Sequence, residues 1–399
     1  MTRSDTNGKP SPPGPGEHCA SGLPGQIVLV LQGGGALGAF QAGVYEAMHE
    51  AGIDPHWVVG TSIGAINAAI IAGNPPERRV ERLHAFWSTV EHRPFGAMGP
   101  MLAGAEYLQR LAGGAGALLP GAEALVNNWS ALTQGVPGLF RPSATAWLGP
   151  RAAVGVERAA WYDTSPLRET LAGLADFDSL HGCPTRLTVG AVNARTGTMR
   201  YFDSREQLIG IDHVMASGAL PPAFPAVRIE GEPYWDGGIY SNTPTEVVFD
   251  DNPRRDSVIF SVQLWNPEGA EPTSIWDVAG RHKDIQYASR AGAHIRKLQE
   301  LHRLRHVIRE LARRMPAEMA EHRDIAELAA WGCGTTMHVL QLQAPRLDGE
   351  DHTKDVDFTA AGIRARRAAG YAQAKRAIAA APWTQAVDPI AGVALHAYA

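Results

Sequence analysis

The chain has 399 residues, with 36 Lys or Arg against 41 Asp or Glu and a net charge of −5. A balance this near neutrality lacks the basic footprint of a nucleic-acid binder, and the length supports one large α/β unit with additions. Three widely spaced cysteines, Cys19, Cys183 and Cys333, are odd in number and fit no metal pattern, which argues for a reducing compartment and against a disulfide framework.

Residues 1–25 are rich in Pro, Gly and Ser and lack the apolar core of a signal peptide, so they read as a disordered leader. No run of about eighteen apolar residues follows, so no membrane-spanning helix is expected, and the chain reads as cytoplasmic. The run Gln26 to Leu31 then reads as a fully buried strand. It enters Gln32-Gly33-Gly34-Gly35-Ala36-Leu37-Gly38, after which Phe40, Val44, Ala47 and Met48 fall on one helical face and Gly52 suits the C-terminal cap. Strand, glycine loop and helix together aim backbone N–H groups at an anion. The anion is either a dinucleotide pyrophosphate, since Gly33, Gly35 and Gly38 satisfy that fingerprint, or the oxyanion of an acyl-transfer intermediate.

The second strand, Trp57 to Val59, decides between them. A dinucleotide site wants an acidic residue at its end, whereas here the strand runs into Gly60-Thr61-Ser62-Ile63-Gly64 and a helical stretch over Ala65 to Ala72. A serine on such a strand-to-helix corner is forced outward, and the flanking Gly60 and Gly64 avoid a Cβ clash as the turn closes. Glycine loop and serine corner thus share the carboxyl edge of a parallel sheet, which favours the oxyanion reading.

Residues 95–150 are rich in Gly, Ala, Leu and Pro with few charges, and read as a helical cap over the core or a mobile lid touching a membrane. A helix is expected to start at Asp163-Thr164-Ser165-Pro166, and strands at Thr185–Val192, Met199–Asp203, Ser257–Leu264 and Met337–Leu342. The expected architecture is therefore a mostly parallel central sheet with helices on both faces. Tyr234-Trp235-Asp236-Gly237-Gly238 places a carboxylate in a sharp glycine turn, which alone would also fit a plain hairpin.

Taken in order, Gly33–Gly38, Gly60-x-Ser62-x-Gly64 and Asp236-Gly237-Gly238 resemble the patatin-like phospholipase family, and Ala216–Val227 is similar to the segment preceding that family's aspartate. The resemblance covers roughly residues 26–265 and implies a three-layer α/β patatin-like fold. It further implies that Ser62 is the nucleophile and Asp236 the general base of a dyad without histidine. The N–H groups of Gly33, Gly34 and Gly35 would form the oxyanion hole. The substrate would be a lipid or other acyl ester. No calcium-loop pattern is present in the sequence, so no metal or other cofactor is expected. Leu37 departs from the arginine of many plant and animal members, a difference expected to tune preference for anionic substrates.

The rival hydrolase is a Ser-Asp-His triad in the same chain order, for which His282, His294, His302, His338 and His352 are available after Asp236. An acyltransferase using the same acyl-enzyme and a catalytically idle lipid-binding protein are the other readings. Beyond 265 the chain reads as a mainly helical extension packed on a 26–265 catalytic domain. From Ala293 to Met315, Ile295, Leu298, Leu301, Leu304, Ile308 and Leu311 recur at helical spacing opposite an arginine-rich face. That helix suits packing on the domain, contact with an anionic membrane surface, or a homodimer seam. A further helix is expected over Thr359–Ala380, after Asp355-Val356-Asp357-Phe358.

Overall fold

The computed structural model describes residues 23–92, 131, 133–149, 151–320 and 322–398. Most of the expected leader and most of the expected cap over 95–150 lie outside these residues. The apolar runs form a nine-stranded sheet in the order β11-β10-β9-β1-β2-β5-β8-β7, with β6 also paired to β5. Its central strands are β1 (Gln26–Leu31), β2 (Trp57–Gly60), β5 (Arg186–Asn193) and β9 (Ser257–Gln263), and every residue in them is buried. The remaining strands are β6 (Met199–Asp203), β7 (Val227–Ile229), β8 (Glu232–Asp236), β10 (Met337–Gln343) and β11 (Val393–Tyr398). A separate small hairpin pairs β3 (Arg141–Pro142) with β4 (Tyr162–Asp163).

All pairings from β11 through to β5 are parallel, and the pairings β5–β6, β5–β8 and β7–β8 are antiparallel, so that only β6 and β8 run against the rest of the sheet. Burial on both faces explains the unbroken apolar runs in the central strands. Along β1, Ile27, Leu29 and Leu31 join the larger core, while Val28 and Val30 join Trp57, Ile259, Leu298 and Val339 on the opposite face. The larger core is closed by α1 (Ala39–Glu50), α2 (Ile63–Ala72), α3 (Pro76–Thr89) and α4 (Ser165–Leu174), with α5 (Ile211–Ser217) beside β5. The smaller is covered by the short α6 (Glu246–Phe249) and by α7 (Ile275–Arg314). The fold is the expected three-layer α/β arrangement.

Two sequence expectations change. The C-terminal third is not simply a helical layer laid on a finished domain, because β10 pairs in parallel with β9 and β11 with β10, extending the sheet itself. The boundary at 265 therefore cuts through a continuous sheet. The expected helix from Ala293 begins at Ile275, where Ser274 and Asp277 form a reciprocal capping box. Its apolar stripe is also split: Ile295 and Leu298 are buried, whereas Leu304 and Leu311 are 58% and 61% exposed.

After α7 come the short α8 (Ala317–Ala320) and α9 (Arg323–Ala329), then β10, a 3-10 turn at Lys354–Val356, and α10 (Ala360–Ala380). Helix α10 crosses α1 at very short range. A Cβ on Gly43 would lie 1.9 Å from the Arg367 carbonyl oxygen, and one on Gly370 would lie 2.0 Å from that of Phe40. Two glycines thus let the backbones touch. No helix among the described residues is long and apolar enough to cross a membrane.

Candidate active site

Strands β1 and β2 run in parallel with Leu31 opposite Gly60, so the glycine loop and the serine corner leave the sheet side by side. Ser62 has φ 57° and ψ −126°, a conformation rare for a residue with a side chain, and it opens α2. The flanking glycines have no alternative. A Cβ on Gly60 would lie 2.3 Å from the Gly64 oxygen, and one on Gly64 would lie 2.2 Å from the Leu31 oxygen. The N–H of Ser62 donates to Ser217 Oγ at 3.1 Å, and the Ser217 hydroxyl donates to the Gly190 carbonyl at 2.6 Å. Ser217, inside the 216–227 segment, therefore pins the strained corner to β5.

Asp236 reaches this corner through an offset in the sheet. Gly60, the last residue of β2, pairs with Val189, and β5 continues to Asn193. Strand β8 pairs antiparallel with that overhang, which sets Asp236 opposite Ala191 and returns it to the edge where β2 ends. Its backbone N–H donates to the Ala219 carbonyl at 3.0 Å. Gly237 lies against β5, where a Cβ would be 2.4 Å from the Gly190 oxygen, and a Cβ on Gly238 would be 3.0 Å from Asp236 Oδ1. The Asp-Gly-Gly segment is thus a strand end running into a 3-10 turn, not a hairpin tip.

The Asp236 side chain is buried, and this burial pushes its pKa up to about 6, while hydrogen bonds from the Ser62 side chain and the Gly238 N–H (2.7 Å) pull it partly back down. Among the described residues no histidine contributes to the state of this carboxyl. His302 is buried elsewhere, bonded to the Thr335 carbonyl, His338 stacks with His396 and His352 with Trp276, and His294 faces Glu246. A carboxylate titrating near neutrality, in reach of a strained serine at a helix N-terminus, can act as a proton acceptor.

The glycine loop differs from expectation at one position. Gly33 N–H already donates to the Asn242 carbonyl at 3.1 Å, while its own carbonyl accepts from Asn242 Nδ2 at 3.1 Å and from Trp265 Nε1 at 2.8 Å. Its donor is consumed in the loop's own support. Among the described residues, the N–H groups of Gly34 and Gly35 have no protein acceptor. Leu37 is buried in the larger core, so its side chain offers no contact to an anion at the loop. Beneath the loop, Gln32 is a buried hub. Its carbonyl accepts from Gln41, its amide donates to Thr243 Oγ1 at 2.7 Å, and its side-chain oxygen accepts from the N–H groups of Leu264 and Trp265. Asn242, Trp265 and Gln32 are the residues that sequence reasoning missed. Asn242 follows the Asp236-Gly237-Gly238 segment closely in sequence, but its role depends on a loop more than two hundred residues away.

The patatin-like phospholipase profile matches residues 29–249, and a second profile described as patatin phospholipase matches residues 285–390. No curated protein matches the chain. Among solved structures, VipD from Legionella pneumophila is 14% identical, covering 91% of this chain and 69% of its own, with a TM-score of 0.37. A chain of the ExoU–SpcU complex from the type III secretion system of Pseudomonas aeruginosa is 16% identical, covering 92% of this chain and 64% of its own, with a TM-score of 0.28. With the first profile spanning more than half of its length, the chain belongs to the patatin-like phospholipase family.

Proposed function

We propose that the protein is a serine lipid acyl hydrolase of the phospholipase A or esterase type, working through a Ser62–Asp236 dyad. The Ser62 oxygen attacks an ester carbonyl while Asp236 takes its proton, and the N–H groups of Gly34 and Gly35 stabilise the oxyanion. Collapse of the tetrahedral intermediate expels the alcohol, which takes the proton from Asp236 and leaves the acyl group on Ser62. Water, deprotonated by Asp236, then releases the acid. The observation that carries this reading is a buried carboxyl with its pKa raised to about 6 by burial and partly lowered again by the side chain of Ser62, a serine in a strained corner.

An unperturbed aspartate is too weak a base for this work, and burial narrows the gap. The dry site that narrows it also suits an apolar acyl chain. The substrate is thus a lipid or other acyl ester, and the enzyme meets it as a non-spanning protein that approaches the membrane peripherally. The test is a panel of phospholipid, lysophospholipid, triacylglycerol and short-chain esters assayed with wild type, Ser62→Ala and Asp236→Asn. Loss of product release in both variants supports the dyad. A variant of His282, His294, His302, His338 or His352 as inactive as Ser62→Ala would instead restore a triad. Product transfer to an added alcohol, in place of free acid, would mark an acyltransferase. Lipid binding with Ser62 inert to a fluorophosphonate would mark a binding protein.

A further inference from the structure

The segment at Asp355–Phe358 belongs to no part of the dyad, yet it meets the glycine loop directly. Gly35 has φ 56°, and a Cβ placed on it would lie 2.3 Å from the carbonyl oxygen of Asp355. The turn carrying that carbonyl is tied to α7 by two ion pairs. Lys283 Nζ holds Asp355 at 2.8 Å and donates to the His352 carbonyl at 3.1 Å, and Lys354 Nζ holds Asp284 at 2.6 Å with both side chains largely buried. Arg366 of α10, itself buried, fastens the ends of the segment through Glu350 at 3.1 Å and Asp357 at 3.0 Å. Meanwhile the Lys354 ammonium lies 5.5 Å from the ring centroid of Trp265, whose other neighbour is Tyr287 of α7 at 4.8 Å. Trp265 is the residue that donates to the Gly33 carbonyl.

These contacts converge on a loop whose two free N–H groups must be aimed before substrate arrives, since an oxyanion hole works by preorganisation. We propose that the C-terminal extension is a clamp on the oxyanion loop. Residues 350–358, locked to α7 by Lys283–Asp355 and Lys354–Asp284, hold Trp265 and Gly35 so that the N–H groups of Gly34 and Gly35 face the reacting carbonyl. Trp265 and Lys354 are positioning residues, acting through the loop and touching no substrate. The inference rests on the hydrolase reading for its kinetic consequence, but not for its mechanical one.

The test compares Trp265→Phe, which keeps a ring and deletes the donor, with Lys354→Ala and Lys354→Arg in the full chain. The measurements are kcat and KM on a soluble p-nitrophenyl acyl ester, the rate of fluorophosphonate labelling at Ser62, the thermal midpoint, and amide exchange over residues 32–38. Trp265→Phe and Lys354→Ala are expected to lower kcat and labelling roughly tenfold to hundredfold at unchanged KM, as displaced catalytic donors do. Exchange at the loop rises in both, and Lys354→Arg recovers most of the loss by restoring the ion pair. Variants within about twofold of wild type in kcat overturn the clamp. So does a loss that follows the thermal midpoint and is not recovered by arginine. Should wild type neither hydrolyse the ester nor take the probe, the hydrolase reading fails by itself. Loop exchange then decides the clamp, and exchange unchanged in Trp265→Phe and Lys354→Ala overturns it.

Discussion

At the scale of single residues, Asp236 exchanges stability for function. Its pKa of about 6 in the folded protein exceeds the value of about 4 in an unfolded chain, so the folded state retains an extra proton between those limits. The contribution is fully favourable below pH 4 and is lost as pH rises through 6, where the carboxylate must ionise without water around it. Asp236→Asn should therefore stabilise the protein at pH 7 by an amount of order 2–3 kcal/mol in denaturant unfolding, while lowering kcat by about 10²–10⁴ as removal of a general base does. A variant that is less stable than wild type at pH 7 would contradict the burial argument. In the same way, kcat/KM should rise with pH along a limb near 6, because the base must be ionised. A limb near 4 would mean a solvated carboxylate. The strained Ser62 predicts a third effect: Ser62→Gly should unfold at higher denaturant concentration than Ser62→Ala, since a backbone at φ 57° costs about 1–3 kcal/mol for a residue with a Cβ.

Among the elements, the pair α1 and α10 is the most exposed to a single change. Gly43 and Gly370 each meet backbone across the crossing, so neither can accept a methyl group without the helices moving apart. Gly370→Ala is expected to destabilise the fold by about 1–3 kcal/mol, the usual cost of overpacking, with the loss seen as a lower denaturant midpoint. An unchanged midpoint would show the crossing to be looser than its geometry. Helix α10 also carries Arg366, which fastens the 350–358 segment. Its displacement should therefore be felt at the glycine loop as well as in stability.

For the whole molecule, the joined sheet forbids a simple division into catalytic and accessory parts. A chain ending at residue 265 would leave β9, buried along its whole length, as an open edge, and by removing Leu298 and Val339 it would uncover the core face of Val28, Val30, Trp57 and Ile259. Such a fragment should be insoluble or aggregate, since a flat apolar edge strand pairs with any other. A soluble, monomeric and active 26–265 fragment, judged by gel filtration and ester hydrolysis, would refute this.

What could be read from the residues alone was local. The buried strands at Gln26–Leu31 and Ser257–Gln263, the helix after Thr359, and the three glycine motifs were legible because periodicity, capping and turn chemistry act within a few residues. The strand-to-helix corner of Ser62 belongs to this class, since its glycines are demanded by backbone meeting backbone. The unread parts were all long-range. Nothing near Gly33 in sequence announces that Asn242 takes its N–H, that Trp265 takes its carbonyl, or that Asp355 presses on Gly35. The capping box at Ser274 is local too, but the stronger apolar stripe further on places the expected helix start later in the chain. The final strand, Val393–Tyr398, is half-exposed at the sheet edge, where burial imposes no strong pattern. Local sterics and hydrophobic period thus determined the elements and the reactive corner. The register offset that brings Asp236 back to Ser62, and the two C-terminal strands that complete the sheet, were decided only when distant segments paired.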